Sequence, residues 1–347
     1  MKGIVLHSNK HINLKKKGVV IGILALLLFS CLLSKKTAFI SKEFSLPEMV
    51  YETENQITKE RIALGKKLFF DPVFSIDSSI SCASCHKPKY AFSDTVKFSP
   101  GVFNRPGIRN TPSLMNIGFH PYFLREGSVP TIEMQALIPI QEKNEFAHNI
   151  VEISKKIQQI PEYVTMSKVA YDREPDHYVI TRALGVFQRT LISKSSKFDS
   201  YMDGKVKLTK SEKNGMAIFF GEKGNCSSCH GGFNFTSYKL TNNGLNENYE
   251  DVGRMRATKD SADLSIFKTP SLRNIEVTSP YMHDGSMVSI EEVVSHYNSG
   301  GKNHVNKDSL IKPLHLSNSE KADLVLFLKT LTDEVLLTNP EYSDPFE

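Results

Sequence analysis

A chain of 347 residues with 40% hydrophobic content is long enough for two medium domains and ordinary for a folded globular protein. It contains no tryptophan, so no function can rest on one. The excess of 43 Lys and Arg over 38 Asp and Glu is carried by the lysines ahead of Cys31 (Lys2, Lys10 and Lys15–Lys17), where no acid occurs. Without them the chain is formally neutral, and nothing in its charge points to nucleic-acid binding.

Lys15–Lys17 precede the apolar run GVVIGILALLLFSCLL (18–33), and Lys35 and Lys36 follow it. This is the n-region and h-region of an export signal over 1–36, short for a membrane span of about 20 apolar residues. Cys31 follows Leu28-Phe29-Ser30, which resembles a bacterial lipobox apart from Phe29. Three outcomes are open: cleavage before Cys31 with lipid on its thiol, cleavage to a soluble form, or an uncleaved anchor. Each exports the body of the chain, and the expected compartment is the periplasm.

Helices are predicted over 58–69, 131–138, 147–159, 176–193, 209–220, 289–297 and 318–331. Capping boxes are expected at Thr209 with Glu212 and at Ser317 with Glu320. The stretches 87–112 and 231–268 read as long loops, rich in Gly, Asn, Ser, Pro and charge. Two Cys-x-x-Cys-His strings punctuate this pattern: Cys82, Cys85 and His86, then Cys226, Cys229 and His230. Disulfide formation would leave both histidines as coincidences, and zinc would need four ligands in a closed shell. The string is the attachment signature of c-type haem, in which each thiol bonds a vinyl group and His ligates iron. Two such haems are therefore expected.

Each string is followed by a copy of one repeat. TPSLMNIGFHPYFLREGSVPTIEMQ (111–135) and TPSLRNIEVTSPYMHDGSMVSIEEV (269–293) share ten of 25 positions without a gap. The fold class expected is mainly α, with two cytochrome c-like haem domains in one chain. The first spans 45–203, the second 204–335, and 336–347 is a tail.

The strings LGKKLFFDPVFS, SCASCH, RNTPSL, TPSLRN and SPYMHDGS resemble the bacterial di-haem cytochrome c peroxidases and their MauG-type relatives. The resemblance covers roughly 45–335. It implies that the N-terminal haem reacts with hydrogen peroxide while the C-terminal haem takes electrons from a donor and relays them. It also implies that Glu145 is the catalytic acid, matched through Gln135 and Pro139, with Gln135 orienting it or a pocket water. A carboxylate in a partly dry pocket can take the proton of bound peroxide and return it to the leaving oxygen. The resemblance further implies one calcium ion between the haems, held by Asn110 and by the carbonyls of Thr278 and Pro280, and it admits a homodimer.

Three departures matter. The residue seventeen beyond Pro280, where many relatives carry a methionine iron ligand, is Tyr297, as in MauG-type enzymes; Met282, Met287 and His296 are rival ligands. The loop 87–112 holds no histidine or methionine, so the distal side of the first haem is expected to be open. Lys87, Lys89, Lys97 and Tyr90 remain conceivable ligands there, and His120 reads as a turn or surface residue. The tryptophan common between the haems is replaced within FLREGS (123–128) by Leu124 or Arg125. Arg125, and His283 with Asp284, are candidate partners of haem propionates. Three functions follow: peroxide reduction with electrons from a small cytochrome or cupredoxin, MauG-like oxidation of a protein substrate, or a non-enzymatic di-haem electron carrier.

Overall fold

The computed structural model describes residues 44–49, 51 and 53–347. Cys31 and the export-signal reading of 1–36 lie outside the described residues. Residues 46–347 form one compact unit, mainly helical, whose only sheet among the described residues pairs Leu240–Thr241 antiparallel with Phe267–Lys268. No helix among the described residues is long and apolar enough to cross a membrane.

Two helix pairs form the frame. Lys59–Phe70 packs on His177–Arg189, and Lys210–Phe220 packs on Asn318–Lys329. Each contact is closed by a glycine. A Cβ on Gly65 would lie 2.0 Å from the carbonyl oxygen of Ala183, and one on Gly215 would lie 2.0 Å from that of Asp323. Only glycine permits so close a backbone approach. Both capping boxes form: Thr209 with Glu212 and Ser317 with Glu320. Aromatic side chains fill the two cores: Phe69, Phe92 and Phe187 in the first, Phe198, Phe219, Phe235 and Phe327 in the second.

The sequence repeat is a structural repeat. Asn116 and Asn274 both take left-handed backbone, and their N–H groups donate to the carbonyls of Leu191 (2.8 Å) and Leu331 (3.0 Å). Phe123 N–H bonds Val129 at 2.7 Å as Tyr281 N–H bonds Met287 at 2.7 Å. Leu124 and Met282, aligned in the two copies, both have positive φ, as do Gly127 and Gly285. The copies diverge at their ends. Continued without a gap, the alignment sets Pro139 against Tyr297. The second copy runs into one continuous helix, Ile290–Ser299, whereas the first is broken into Ile132–Gln135 and Leu137–Gln141. Pro139 explains the break, because it has no N–H to give Gln135 and its ring crowds that carbonyl.

The copies also hold each other. Asn110 N–H donates to the carbonyl of His283 at 2.9 Å, and Lys268 N–H donates to that of Arg125 at 2.6 Å. The alignment pairs Asn110 with Lys268 and Arg125 with His283, so these are one contact made twice with the roles of the copies exchanged.

Several segments differ from the sequence expectation. A helix at Pro161–Tyr171 was not anticipated; its β-branched Val164, Thr165 and Val169 weaken the helical signal, while Pro161 at its start fits the first turn. The Lys197–Met202 helix shares its core with later residues: Phe198 packs on Phe235 and Phe327, and Asp199 makes a two-point ion pair with buried Arg273. The last residues fold back, with Leu336 and Leu337 in the first core and Tyr342 Oη donating to the Thr190 carbonyl at 2.7 Å. The loop 87–112 is a chain of pinned turns, with one-turn helices at Pro88–Tyr90 and Val102–Asn104.

Candidate active site

Cys82 and Cys85 lie on a single helical turn opened by Ser81, and His86 caps it. At the second string Asn225 takes left-handed backbone to start the turn Cys226–Ser228, with Cys229 as its cap and His230 following. All four cysteines are free thiols. Burial pushes the thiols of Cys82 and Cys226 up to about 12 and that of Cys85 to about 11, which leaves them protonated and unsuited to an open thiolate role.

The two histidines are held alike. His86 Nδ1 is 2.8 Å from the Phe92 carbonyl oxygen, and His230 Nδ1 is 3.2 Å from that of Phe235. A carbonyl accepts only, so Nδ1 carries the proton in both rings and Nε2 keeps its lone pair. Burial holds both imidazoles below their ordinary pKa, His230 at about 4, so each is neutral. The serine of each TPSL string fixes the loop that supplies this carbonyl: Ser113 Oγ donates to Ala91 at 2.6 Å, and Ser271 Oγ donates to Asn234 at 2.7 Å. Paired thiols one turn apart beside an oriented, neutral imidazole are the donor set that covalent haem requires, and both strings fit it.

Glu145 stands at the first string. Its backbone is locked, with its N–H on the Glu142 carbonyl and its own carbonyl accepting from Val102 N–H, both at 3.0 Å. A Cβ on Gly101 would meet the Glu145 Cα at 2.8 Å, so only glycine lets the two loops close this tightly. The charge of Glu145 acts on both Cys82 and Cys85. Glu145 is exposed by surface area, yet protein crowds its carboxyl; burial first and the negative charge of Glu142 second raise its pKa to about 7. Exposure argues for a smaller shift, but both causes act upward, and that direction stands. Gln135, half-buried, ends the Ile132–Gln135 helix, and on the next one, Leu137–Gln141, the Pro139 carbonyl accepts from Phe146 N–H at 3.2 Å, tying that second helix to the Glu145 turn.

The lysines of the 87–112 loop are otherwise engaged. Lys87 pairs with buried Asp94 at 2.6 Å, while Lys89 and Lys97 are exposed and lie over the rings of Tyr90 and Phe98. His120 follows a one-turn helix, as a turn residue should, and its ring is partly enclosed. It is half-buried, stacking on Phe123, meeting Tyr238 edge-on, and contacting Lys268 Nζ at 3.2 Å. Burial and then the Lys268 charge hold it neutral, well below its ordinary pKa.

At the second string, Tyr297 lies half-buried on the Ile290–Ser299 helix; burial first, with Cys229 and Cys226 acting in the same direction, raises its phenol above the ordinary value. The rivals separate. His296 Nε2 is taken by the Asn243 carbonyl at 3.1 Å, and Met287 lines a shallow surface depression with Glu291 and Ser295. Met282 stays close: its Sδ and the Tyr297 Oη lie 3.4 and 3.3 Å from Asn243 Nδ2.

A charged cluster around Arg109 and Arg125 was caught only in part by sequence reading. Arg109 pairs with Asp251 at 2.5 Å and with Glu126, and His283 stacks on Phe267 with centroids 4.2 Å apart. Lys268 is half-buried, and desolvation with the neighbouring Arg125 charge lowers its pKa to about 7. Arg125 donates to the Asn110 backbone oxygen at 2.7 and 3.0 Å and to its Oδ1 at 3.1 Å. Of the residues expected to hold calcium, Asn110 has both its oxygens on the Arg125 guanidinium. No cluster of three or more His, Cys, Asp or Glu able to hold a metal occurs among the described residues.

Two oriented histidines, each beside a thiol pair, on a duplicated helical frame define a di-haem c-type protein. Residues 59–207 match the family model of the di-haem cytochrome c peroxidases, which includes MauG. The chain is 35% identical over 303 residues to the methylamine utilization protein MauG of Methylorubrum extorquens, covering 86% of this chain and 85% of the relative. It is 33% identical over 279 residues to the cytochrome c551 peroxidase of Nitrosomonas europaea, covering 78% and 79%. A crystal structure of a MauG-like protein associated with microbial copper homeostasis superposes with a TM-score of 0.82 at 31% identity, over 88% of this chain and 99% of that one. The chain belongs to the di-haem cytochrome c peroxidase family, whose members are oxidoreductases carrying two c-type haems.

Proposed function

We propose that this protein is an exported peroxidase that reduces hydrogen peroxide at its N-terminal haem and draws electrons through its C-terminal haem from a small cytochrome or cupredoxin. The observation that carries this reading is the crowded Glu145 carboxyl beside the first Cys-x-x-Cys-His string. Its pKa near neutrality suits a group that must both accept and donate a proton. Cys82, Cys85 and His86 would hold the first haem, and Cys226, Cys229 and His230 the second, with Tyr297 opposite His230.

When bound, the first haem supplies the iron at which the O–O bond is reduced. The chain supplies the protons and the geometry. His86, neutral and oriented by the Phe92 carbonyl, offers Nε2 from one side. Pro139 stands where the second copy has Tyr297, and a prolyl ring offers no ligand atom, so this position would leave the iron open to peroxide. Glu145 accepts the proton from the oxygen nearer the iron and returns it to the departing oxygen, which leaves as water. Gln135 orients this carboxyl. Export follows from the lysine-flanked apolar run at 15–36.

Electron paramagnetic resonance on the ferric protein tests the proposal. A high-spin signal that disappears on adding peroxide is expected, and Glu145→Gln should slow its disappearance without changing haem content. Two low-spin haems indifferent to peroxide would make the protein an electron carrier. Tyr297 and the 35% identity to a MauG favour a second reading, in which the reductant is a residue on a protein substrate. Turnover with peroxide but with no small donor protein would select it.

A further inference from the structure

The second haem pocket holds an asparagine that neither the motifs nor the proposed mechanism uses. Asn243 sits in the turn after Leu240–Thr241, and every polar atom of its carbonyl and carboxamide is engaged. Its carbonyl oxygen accepts from His296 at 3.1 Å. Its Oδ1 accepts from Leu245 N–H at 3.2 Å. Its Nδ2 reaches Tyr297 Oη at 3.3 Å and Met282 Sδ at 3.4 Å. The bond to Leu245 settles which way the carboxamide faces, since only an oxygen can accept from that N–H. The donor end is thereby fixed on the phenol. The turn is held in place by Gly244, whose carbonyl accepts from Lys302 N–H at 2.7 Å and whose φ of +66° suits glycine.

We propose that Asn243 is the positioning residue of the second haem: its amide donates to Tyr297 as the iron's phenolate ligand and thereby selects Tyr297 over Met282. The inference rests on the assignment of Tyr297 as that ligand. A hydrogen bond to an anionic oxygen is stronger than one to a thioether sulfur, a weak acceptor. The carboxamide nitrogen has two N–H groups, and the one on the phenolate makes the stronger bond, while the one on Met282 adds little. Met282 carries a φ of +73°, an uncommon conformation for a side chain of its size, and this brings its sulfur to the same nitrogen. Donation to the phenolate withdraws charge from the iron–oxygen bond, so it raises the potential of the second haem above that of an unassisted tyrosinate site.

The test is Asn243→Leu, close in shape without the donor, read on the ferric holoprotein by its tyrosinate-to-iron charge-transfer band and by redox titration of the second haem. The band is expected to move to longer wavelength and the midpoint potential to fall. Asn243→Asp, which replaces the donor with a negative oxygen, should move both further, and Met282→Leu should move neither. The spectrum of the first haem serves as the internal control for folding. A wild-type tyrosinate band and potential that Asn243→Leu leaves unchanged overturn this inference alone. A wild-type protein with no such band overturns the Tyr297 assignment and the inference with it.

Discussion

Glu145 is the residue whose behaviour should depend most visibly on pH. An acid that works by first accepting a proton is active when ionised, and burial holds this one near 7. The rate of the peroxide reaction is therefore expected to rise with pH through about 7, and stopped-flow profiles of Glu145→Gln should lose that step. The same shift has a cost in stability. The unfolded chain ionises this carboxyl at its ordinary value and the folded chain near 7, so its contribution falls as pH rises between the two. Neither Glu145 nor Tyr297 was legible as residue chemistry alone: a glutamate in QEKNEF and a tyrosine in SHYNSGG look like ordinary surface and helix residues. Resemblance singled them out, and the fold put each near its cysteine pair. Asn243 gave no signal at all, because an asparagine in TNNG reads as turn chemistry. His120 was misread for a related reason: sequence showed its turn, but not the Tyr238 and Lys268 side chains that enclose it.

Among the elements, the paired helices were legible because they carry caps and apolar periodicity within their own sequence. What could not be read was how closely they pack. Gly215 lies inside a helix, where glycine is normally unfavourable, and only the Asp323 carbonyl explains it. Gly215→Ala is expected to destabilise the protein by about 3 kcal/mol through this clash. Gly204→Ala, with no neighbour within 4 Å but a φ of +73°, should cost only about 1 kcal/mol. Urea titrations of the two variants compare them directly, and equal losses would mean that the helix contact relaxes. The broken helix at Ala136 makes the same point in reverse: Pro139 was plain in the sequence, but its consequence appeared only against the unbroken second copy.

At the scale of the whole molecule, the repeat was visible from its ten identities, while the exchange of contacts between the copies was not. Those contacts use backbone groups, which leave no trace in residue type. Calcium between the copies was expected from the family resemblance, while the reach of Arg125 to the Asn110 oxygens could not be seen in the sequence. With its guanidinium there, treatment with a calcium chelator should leave the spectra of both haems unchanged. A spectral loss that added calcium restores would show that the metal displaces Arg125. The turn 193–195 shows how tightly the cores are braced: Asp333 Oδ2 accepts from Ser193 Oγ, Lys194 N–H and Ser195 N–H at 3.1, 2.9 and 2.9 Å. Asp333→Ala would strand these donors and should cost about 3 kcal/mol, measurable as a fall in thermal midpoint.

The doubled contact between the copies bears on how such a chain can change over generations. Asn110 leans on the loop of the second copy and Lys268 on the loop of the first, so a cut between them leaves each fragment with a backbone donor and an acceptor that only the other can satisfy. The copies are free to drift apart in side chains, as Pro139 and Tyr297 have, while these paired backbone contacts hold their loops in register.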